Sequence, residues 1–276
     1  MKPLKGACII GQSGGPTAVI NASALGAIQT ALQCEPVTRV LGAANGIEGV
    51  LKERLFDMAQ EDPEELELLK YTPAAALGSC RYRMADPAVD DTDYRRLLEV
   101  FRKYDVRYFF YNGGNDSMDT VSKLSRYANG IGSDIRFIGI PKTIDNDLVG
   151  TDHTPGFGSA AKYVASTVRE ITLDASVYQQ KSVTIVELMG RHAGWLTASS
   201  VLARKHGEDN PLLIYLPESP FEFEQFSADL KNAFEKSQTV VVCVSEGIAD
   251  SAGHFICEYS NEAQLDTFGH KMLTGC

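Results

Sequence analysis

The chain has 276 residues, of which 44% are hydrophobic and 22% charged, as in an ordinary globular protein long enough for one large domain or two smaller ones. Its 36 acidic and 26 basic residues give a formal net charge of −10, which argues against a general nucleic-acid-binding protein but allows a local basic pocket. No apolar run approaches the ~20 residues that a membrane span needs, so we expect no membrane partner.

The first half of the chain alternates short apolar stretches with helical ones. The sequence GACIIG at 6–11 is typical of a buried strand, and the alanine- and leucine-rich residues 18–33 favour a helix. Residues 91–104 place their apolar side chains on one face of an amphipathic helix. The other elements predicted here are a short strand and a loop within 38–51, strands at 106–112 and 135–140, and a helix at 118–128.

The second half repeats this alternation after a loop rich in Gly, Thr and Pro at 150–158. We therefore place a lobe boundary near residue 156, with one lobe at 1–156 and another at 157–276. Continuous apolar strands that alternate with helices predict an α/β fold in which each lobe has a mainly parallel sheet with helices on both faces. The second lobe is predicted to contain helices at 159–173, 193–204 and 223–237, and strands at 182–189, 211–218 and 239–247.

The cysteines are scattered along the chain and contain no C-x-x-C pair. This spacing predicts reduced thiols in a cytoplasmic protein rather than a zinc site or a disulfide framework. The N-terminal segment MKPLKGACIIG has too short an apolar stretch for a signal peptide. The cysteines are Cys8, Cys34, Cys80, Cys243, Cys257 and Cys276.

Two glycine-rich loops follow predicted strands, at the edge where open parallel sheets bind ligands. GQSGGPT at 11–17 and GGNDS at 113–117 each lead into a helix, so backbone N–H groups and a helix N-terminus can approach an anion. Ser117 can donate its hydroxyl beside the second helix start. The alternative interpretation is a plain strand-to-helix turn in which Asn115, Asp116 or Ser117 caps the helix.

The segment IPKTIDNDLVGTDHTPGFGSA at 140–160 carries the strongest chemical signal. Lys142 stands three residues before Asp145, and Asp147 follows. A lysine can hold the negative charge of a phosphoryl group, and one carboxylate can accept a proton from an attacking hydroxyl. A calcium loop is the alternative, but the glycine and the late glutamate of an EF-hand are missing.

In the second lobe, MGRHAGW at 189–195 follows a strand and opens a helix. The Arg191 guanidinium offers a fork of donors suited to phosphate, and Glu246 closes another strand at the carboxyl edge. The alternative for Met189 is a place in the core. His192 has no evident carboxylate partner that would make it a base.

These segments, taken together and in this order, resemble the phosphofructokinase family. TIDND and MGR are the most specific pieces, and the match spans nearly the whole chain. The resemblance implies two α/β lobes, with a phosphate donor on the first lobe and fructose 6-phosphate between the lobes. The matching pieces are SGGP, GSCR, GGNDS, PKTIDND, MGR, the strand that ends in Glu246, and FGH at 268–270.

The resemblance also implies roles for individual residues. Asp145 would deprotonate the sugar 1-hydroxyl, and Gly14, Arg81 and Ser117 would bind the donor phosphates. Asn115, where the family usually carries an aspartate, would stand at the Mg²⁺ site that phosphoryl transfer normally uses. The residues that would line the sugar site are Thr143, Ile144, Asp145, Met189, Gly190, Arg191 and Glu246.

Asp116 and Lys142 favour inorganic pyrophosphate as the donor. ATP-using relatives look like GGDGS with PGTIDND, whereas members that use pyrophosphate carry Asp and Lys at these two positions. The Asp116 carboxylate would occupy the place of a nucleotide's α-phosphate, and two like charges ~4 Å apart cost on the order of 4 kcal/mol at an effective dielectric near ~20. The resemblance then implies that Asp116, Lys142 and Asp145 serve a reversible, glycolytic transfer to fructose 6-phosphate that yields fructose 1,6-bisphosphate.

Three other functions stay open at this stage. An ATP-dependent phosphofructokinase is disfavoured by Asp116 and Lys142, and GGNDS alone suggests an NAD-kinase-like protein. A non-catalytic regulatory or sugar-phosphate-binding fragment is disfavoured by Asp145. The family normally continues beyond the position of Cys276, so we expect a C-terminally short form of the fold, and we expect a homo-oligomer.

Overall fold

The computed structural model describes residues 3–205, 210 and 213–259, together with the backbone of 264–265 and 271–272. The chain divides into two compact units, Met1–Thr143 and Ile144–Cys276, which we call unit 1 and unit 2. This division falls before the lobe boundary expected near residue 156, because Ile144 packs against the core of unit 2. The FGH segment at 268–270 lies outside the described residues.

Unit 1 is built on a five-stranded sheet with β1 at its centre. The strands are β1 (Gly6–Gln12), β2 (Val37–Ala43), β3 (Leu55–Asp57), β4 (Val106–Gly113) and β5 (Arg136–Pro141). Their order is β3-β2-β1-β4-β5, and all neighbours are parallel except β3, which runs antiparallel to β2 at the edge. Every residue of β1 is buried, as expected for the central strand of a sheet covered on both faces.

The helices of unit 1 cover the two faces of this sheet. α1 buries Ala24, Leu25 and Ile28 against one face, because these residues recur at helical spacing. The opposite face packs on apolar side chains of α2, α4 and α5. The helices are α1 (Ile20–Gln33), α2 (Gly46–Leu51), α3 (Pro63–Glu67), α4 (Thr92–Lys103) and α5 (Asn115–Gly130), with 3-10 turns at Met58–Gln60 and Leu68–Lys70.

Unit 2 contains a three-stranded parallel sheet with the order β6-β8-β7. α6 packs on one face through Val164 and Val168, and α8 packs on the other through Ala233. The elements are α6 (Phe157–Ser176), β6 (Ser182–Leu188), α7 (Trp195–Ala198), β7 (Leu213–Tyr215), α8 (Phe223–Lys236), β8 (Thr239–Ser245), β9 (Gln264–Leu265) and β10 (Lys271–Met272), with 3-10 turns at Ser199–Ala203 and Ile256–Tyr259.

The predicted α/β class, with mainly parallel sheets and helices on both faces, is confirmed. The helix predicted at 193–204 is wrong in length, because only Trp195–Ala198 is α-helical and a 3-10 turn follows. The Ser199 hydroxyl donates to the Leu196 carbonyl oxygen at 2.6 Å, a local bond that competes with regular helix geometry. The short elements α2, α3 and β3 were not predicted, and α2 stands where a loop was expected within 38–51.

None of the helices in the described part of the chain is long and apolar enough to cross a bilayer. Among the cysteines within those residues, Cys8, Cys34, Cys80 and Cys243 are free thiols.

Candidate active site

The glycine loops of unit 1 meet at the carboxyl ends of β1 and β4. Gly14 has a φ of +76°, and a Cβ on this residue would lie 3.6 Å from the Gly114 backbone nitrogen and 3.7 Å from Lys142 Nζ. A side chain would therefore fill the space between a backbone amide and an ammonium group. Left open by glycine, this space has the donors that an anion requires.

Lys142 follows β5 and is only 4% exposed. Its backbone N–H donates to the Gly113 carbonyl oxygen at 3.0 Å, and its ammonium donates to the carbonyl oxygen of Gly15. These bonds offset part of the cost of burying a charge. Lys142 and the two glycine loops, which the sequence places in separate segments, are thus brought together.

The N-terminus of α5 forms the next part of this edge. Its N-cap residue is Gly114, so the interpretation that Asn115, Asp116 or Ser117 is the N-cap residue is wrong. Asn115 and Asp116 are exposed in the first turn, where a carboxylate is favourable to the helix dipole. Ser117 is buried instead, and a Cβ on Gly113 would lie 2.1 Å from Ser117 Oγ. Ser117 therefore forms the wall beneath the loop.

Tyr111 supports the glycine loops from below. Its hydroxyl accepts a hydrogen bond from the Ile47 backbone N–H at 3.2 Å and lies 3.7 Å from Cys80 Sγ. Burial is the main cause that raises the pKa of Tyr111, so the hydroxyl stays neutral at physiological pH. The carbonyl oxygen of Cys80 accepts bonds from the Gly14 N–H at 3.4 Å and from Ser13 Oγ at 3.2 Å. Arg81, which is exposed, follows directly after this contact.

The TIDND segment is fixed by its asparagine, a role the sequence did not predict. Asn146 adopts a φ of +60°, a left-handed conformation that asparagine tolerates better than most residues. Its amide Nδ2 donates to the Asp152 carbonyl oxygen at 3.2 Å, and its Oδ1 accepts from the Thr154 N–H at 2.8 Å. Both amide atoms are thus committed to the backbone, which orients the neighbouring Asp145 and argues against a calcium-ligating role for Asn146.

The two residues before Asp145 are less available than expected. Thr143 is 9% exposed. The Ile144 side chain packs against the core of unit 2, so mainly its backbone could line a ligand site.

In unit 2, Arg191 and Glu246 lie on two loops that touch through their backbones. A Cβ on Gly247 would lie 1.8 Å from the Arg191 carbonyl oxygen. The Gly190 N–H donates to Glu246 Oε1 at 3.2 Å, and its carbonyl oxygen accepts from Ser245 Oγ at 2.6 Å. The structure therefore brings the backbones of Gly190 and Arg191 close to Glu246 and Gly247.

The far end of the same loop is held by a carboxylate that the sequence did not reveal. The Gly194 N–H donates to Glu218 Oε1 at 2.7 Å. Met189 is 56% exposed, so its interpretation as a core residue is wrong. His192 is exposed and its ring centroid lies 6.0 Å from that of Phe255, with no acid partner among the described residues.

Comparison with known proteins identifies the family. The phosphofructokinase family model matches residues 7–275. The chain belongs to the phosphofructokinase family. It is 47% identical over 272 residues to the pyrophosphate–fructose 6-phosphate 1-phosphotransferase of Xanthomonas campestris pv. campestris, a match that covers 98% of this chain and 64% of that relative. The protein of the same name from Halomonas elongata is 44% identical, over 96% of this chain and 63% of the relative.

A solved member of the phosphofructokinase family has the same fold. The pyrophosphate-dependent phosphofructokinase of Nitrosospira multiformis superposes with a TM-score of 0.83 at 41% identity, over 90% of this chain and 62% of that one. The chain thus spans slightly less than two thirds of the length of these relatives.

Proposed function

We propose that this protein transfers a phosphoryl group reversibly from pyrophosphate to the 1-hydroxyl of fructose 6-phosphate, yielding fructose 1,6-bisphosphate and phosphate as a step of glycolysis. The observation that carries the proposal is the buried ammonium of Lys142 beside Gly14 and Gly114. The names of the relatives that cover almost the whole chain support the same reaction.

In this proposal the donor binds at the glycine loops of unit 1. The backbone around Gly14 and Gly114 and the ammonium of Lys142 would hold the diphosphate, with Arg81 adding a guanidinium from the neighbouring loop. Asp116, exposed in the first turn of α5, would occupy the space that a nucleotide's α-phosphate needs. Ser117, which is as buried as Lys142, would add its hydroxyl to the donor phosphates.

Mg²⁺ is the proposed cofactor, and the oxygen groups at this edge suit it. Within the described residues no group of three or more acidic, histidine or cysteine side chains is placed to hold a metal ion. Mg²⁺ is usually bound by one or two protein oxygens together with substrate phosphates and water, so a full protein cage is not required. Asn115 and Asp116 are the oxygen-bearing side chains that would hold it. When bound, Mg²⁺ would neutralise charge on the phosphate oxygens.

The chemical step requires a base and an acceptor site. Asp145 would take the proton of the 1-hydroxyl as the sugar oxygen forms a bond to one phosphorus of pyrophosphate and the bridging P–O bond breaks. Lys142 would stabilise the charge on the departing phosphate. Arg191 and Glu246, with the backbone of Gly190, would hold the sugar phosphate, and Met189, Thr143 and Ile144 would complete its surroundings.

The proposed reaction can be tested directly. A coupled assay should detect fructose 1,6-bisphosphate with pyrophosphate as donor and at least about tenfold less with ATP, the factor expected from roughly 1.4 kcal/mol of discrimination. The assay should be run on the 276-residue chain and on the same chain fused to the C-terminal third of the Xanthomonas campestris relative. A higher rate with ATP would establish the ATP-dependent alternative, and sugar binding without turnover in both proteins would establish the non-catalytic one.

We also propose that the protein is cytoplasmic and forms homo-oligomers. Free thiols such as the exposed Cys34 support a reducing compartment. A cleft of about 830 Å³ between α6 and β6 lies beside exposed apolar side chains, a feature typical of interaction surfaces. These side chains are Val177, Tyr178, Val183 and Ile185. Analytical ultracentrifugation over a range of protein concentrations tests the oligomeric state.

A further inference from the structure

The loop that carries Arg81 has little regular structure of its own. Residues 72–81 contain neither helix nor strand. A cavity of about 270 Å³ lies beneath Ala76 and Leu77, beside Ala24 and Met58. Apolar packing therefore leaves this part of the loop incompletely supported, and other interactions must fix its position.

Two fully buried amide side chains supply these interactions. Asn21, on α1, accepts the Ala76 N–H with Oδ1 at 2.8 Å and donates from Nδ2 to the Thr72 carbonyl oxygen at 2.9 Å. Gln12, at the end of β1, accepts the Leu77 N–H with Oε1 at 2.9 Å. The two amides are joined because Gln12 Nε2 donates to Asn21 Oδ1 at 2.9 Å.

The downstream end of the loop is tied to the donor-binding glycines themselves. Ser79 Oγ donates to the Gly14 carbonyl oxygen at 2.6 Å. Asn45 Nδ2 donates to the Ser79 carbonyl oxygen at 3.2 Å, and the Asn45 N–H donates to that of Leu77 at 2.8 Å. These hydrogen bonds, which involve residues between Thr72 and Ser79, therefore fix the chain just before it reaches Arg81.

We infer that Asn21 and Gln12 are positioning residues. They hold the Arg81 loop against the Gly14 loop, so that Arg81 is already in place when pyrophosphate binds. This inference rests on the proposed function. Both amides lie behind the loop rather than at the donor-binding space, so they act through Arg81 and not on the ligand. A ligand group that is already in place loses less conformational entropy on binding, which raises affinity.

The network is vulnerable to loss of a single member. Replacing Asn21 by leucine, which has a similar shape, removes the acceptor for two donors and the donor to Thr72. The buried Gln12 Nε2 keeps only its bond to the Ile20 carbonyl oxygen, at 3.2 Å. A partly satisfied buried network is less favourable than a complete one, so the loop should detach from α1.

The decisive experiment is a double-mutant cycle on the 276-residue chain, with pyrophosphate binding measured by calorimetry. N21L and R81A should each weaken binding roughly tenfold, the usual scale for one charge-assisted contact. The double variant should bind no more weakly than R81A alone, because Asn21 has nothing left to position. Additive losses in the double variant would overturn the inference.

A second measurement does not depend on pyrophosphate. Cleavage by trypsin after Arg81 should be roughly tenfold faster in N21L than in the unmodified chain, since the loop opens more often. The matched control is Y215F in unit 2, which loses one hydrogen bond of 2.7 Å to Asp229 and should alter neither readout. Unchanged cleavage in N21L would also overturn the inference. An unmodified chain that binds no pyrophosphate would instead overturn the proposed function.

Discussion

The two units hold their site loops by different means. In unit 1 the loop before Arg81 is held by side-chain amides, and the Ala76 N–H that bonds to Asn21 lies 55 residues further along the chain. In unit 2 the loop of Arg191 also has side-chain hydrogen bonds, but it packs backbone to backbone as well, with Gly247 leaving no room for a Cβ. The first loop should therefore detach from α1 when one amide of its buried network is lost. The second should tolerate almost no added volume, because a backbone cannot move aside as a side chain can.

The largest expected effect concerns the base. D145A should lower the rate of phosphoryl transfer by about 10²–10⁴-fold and leave fructose 6-phosphate affinity within about threefold, because the carboxylate acts mainly in the chemical step. Single-turnover rates and calorimetric binding measure the two effects. D119A is the matched control, since Asp119 is an exposed carboxylate paired with Lys123 on α5. Turnover of D145A near that of D119A would remove Asp145 from its proposed role.

The backbone contact of unit 2 can be broken with one methyl group. In G247A the new Cβ would lie 1.8 Å from the Arg191 carbonyl oxygen, so we expect the free energy of unfolding to fall by about 3 kcal/mol and fructose 6-phosphate binding to weaken. G26A adds a methyl group on α1 where no atom outside the helix's own backbone lies within 4 Å, and should be neutral or slightly stabilising. Denaturant unfolding compares the stability of the two variants. Equal unfolding midpoints would contradict a close contact between Gly247 and the Arg191 carbonyl oxygen.

The choice of phosphate donor can be tested at the charged residues Asp116 and Lys142 of unit 1. D116G combined with K142G should raise ATP affinity at least about tenfold and weaken pyrophosphate binding, because volume and negative charge are removed from the nucleotide position and a cation is lost. D116N keeps the volume without the charge and separates the two causes. If ATP affinity is the same in all variants, Asp116 does not select the donor.

A milder substitution in unit 2 tests whether the Arg191 loop acts independently of the Arg81 loop in unit 1. Ser245 Oγ donates to Gly190 and accepts the Gly247 N–H at 3.2 Å. S245A should cost about 1–2 kcal/mol of stability and weaken fructose 6-phosphate binding by up to about tenfold, with pyrophosphate affinity unchanged. S176A removes a hydroxyl bond at the exposed end of α6 and serves as the control. A parallel loss of pyrophosphate affinity in S245A would show that the loops are coupled.

The smallest effect lies away from both loops, at Glu53. Hydrogen bonds from Lys103 first, then from Arg96 and Tyr104, lower the pKa of Glu53 from 4.5 to about 2. A lowered folded-state pKa contributes stability above about 4.5 that is lost as the pH falls toward about 2. As the pH falls from about 5 to about 3, the Tm of E53Q should therefore decrease less than the Tm of the unmodified chain. Parallel curves of Tm against pH for the two proteins would show that the hydrogen bonds to Glu53 do not contribute to stability.

The sequence predicted the sheets and the glycine loops better than the contacts that support them. Buried strands such as GACIIG and TVVVCVS, and the glycines that end them, have strong local patterns. The bonds of Asn21 and Glu218 have none, because they depend on which distant loop the fold brings near. The helix predicted at 193–204 failed for a local reason, since Ser199 interrupts it with a hydroxyl that bonds to the Leu196 carbonyl oxygen. The roles assigned to individual site residues stay predictions.

Trp195 begins α7, directly after the loop that Glu218 anchors, and it is the only tryptophan in the sequence. The residue is 57% exposed, so its emission should respond to changes in local polarity. Intrinsic fluorescence excited at the red edge would therefore report on the surroundings of this loop of unit 2. Trp195 is thus a built-in fluorescent probe at the start of α7.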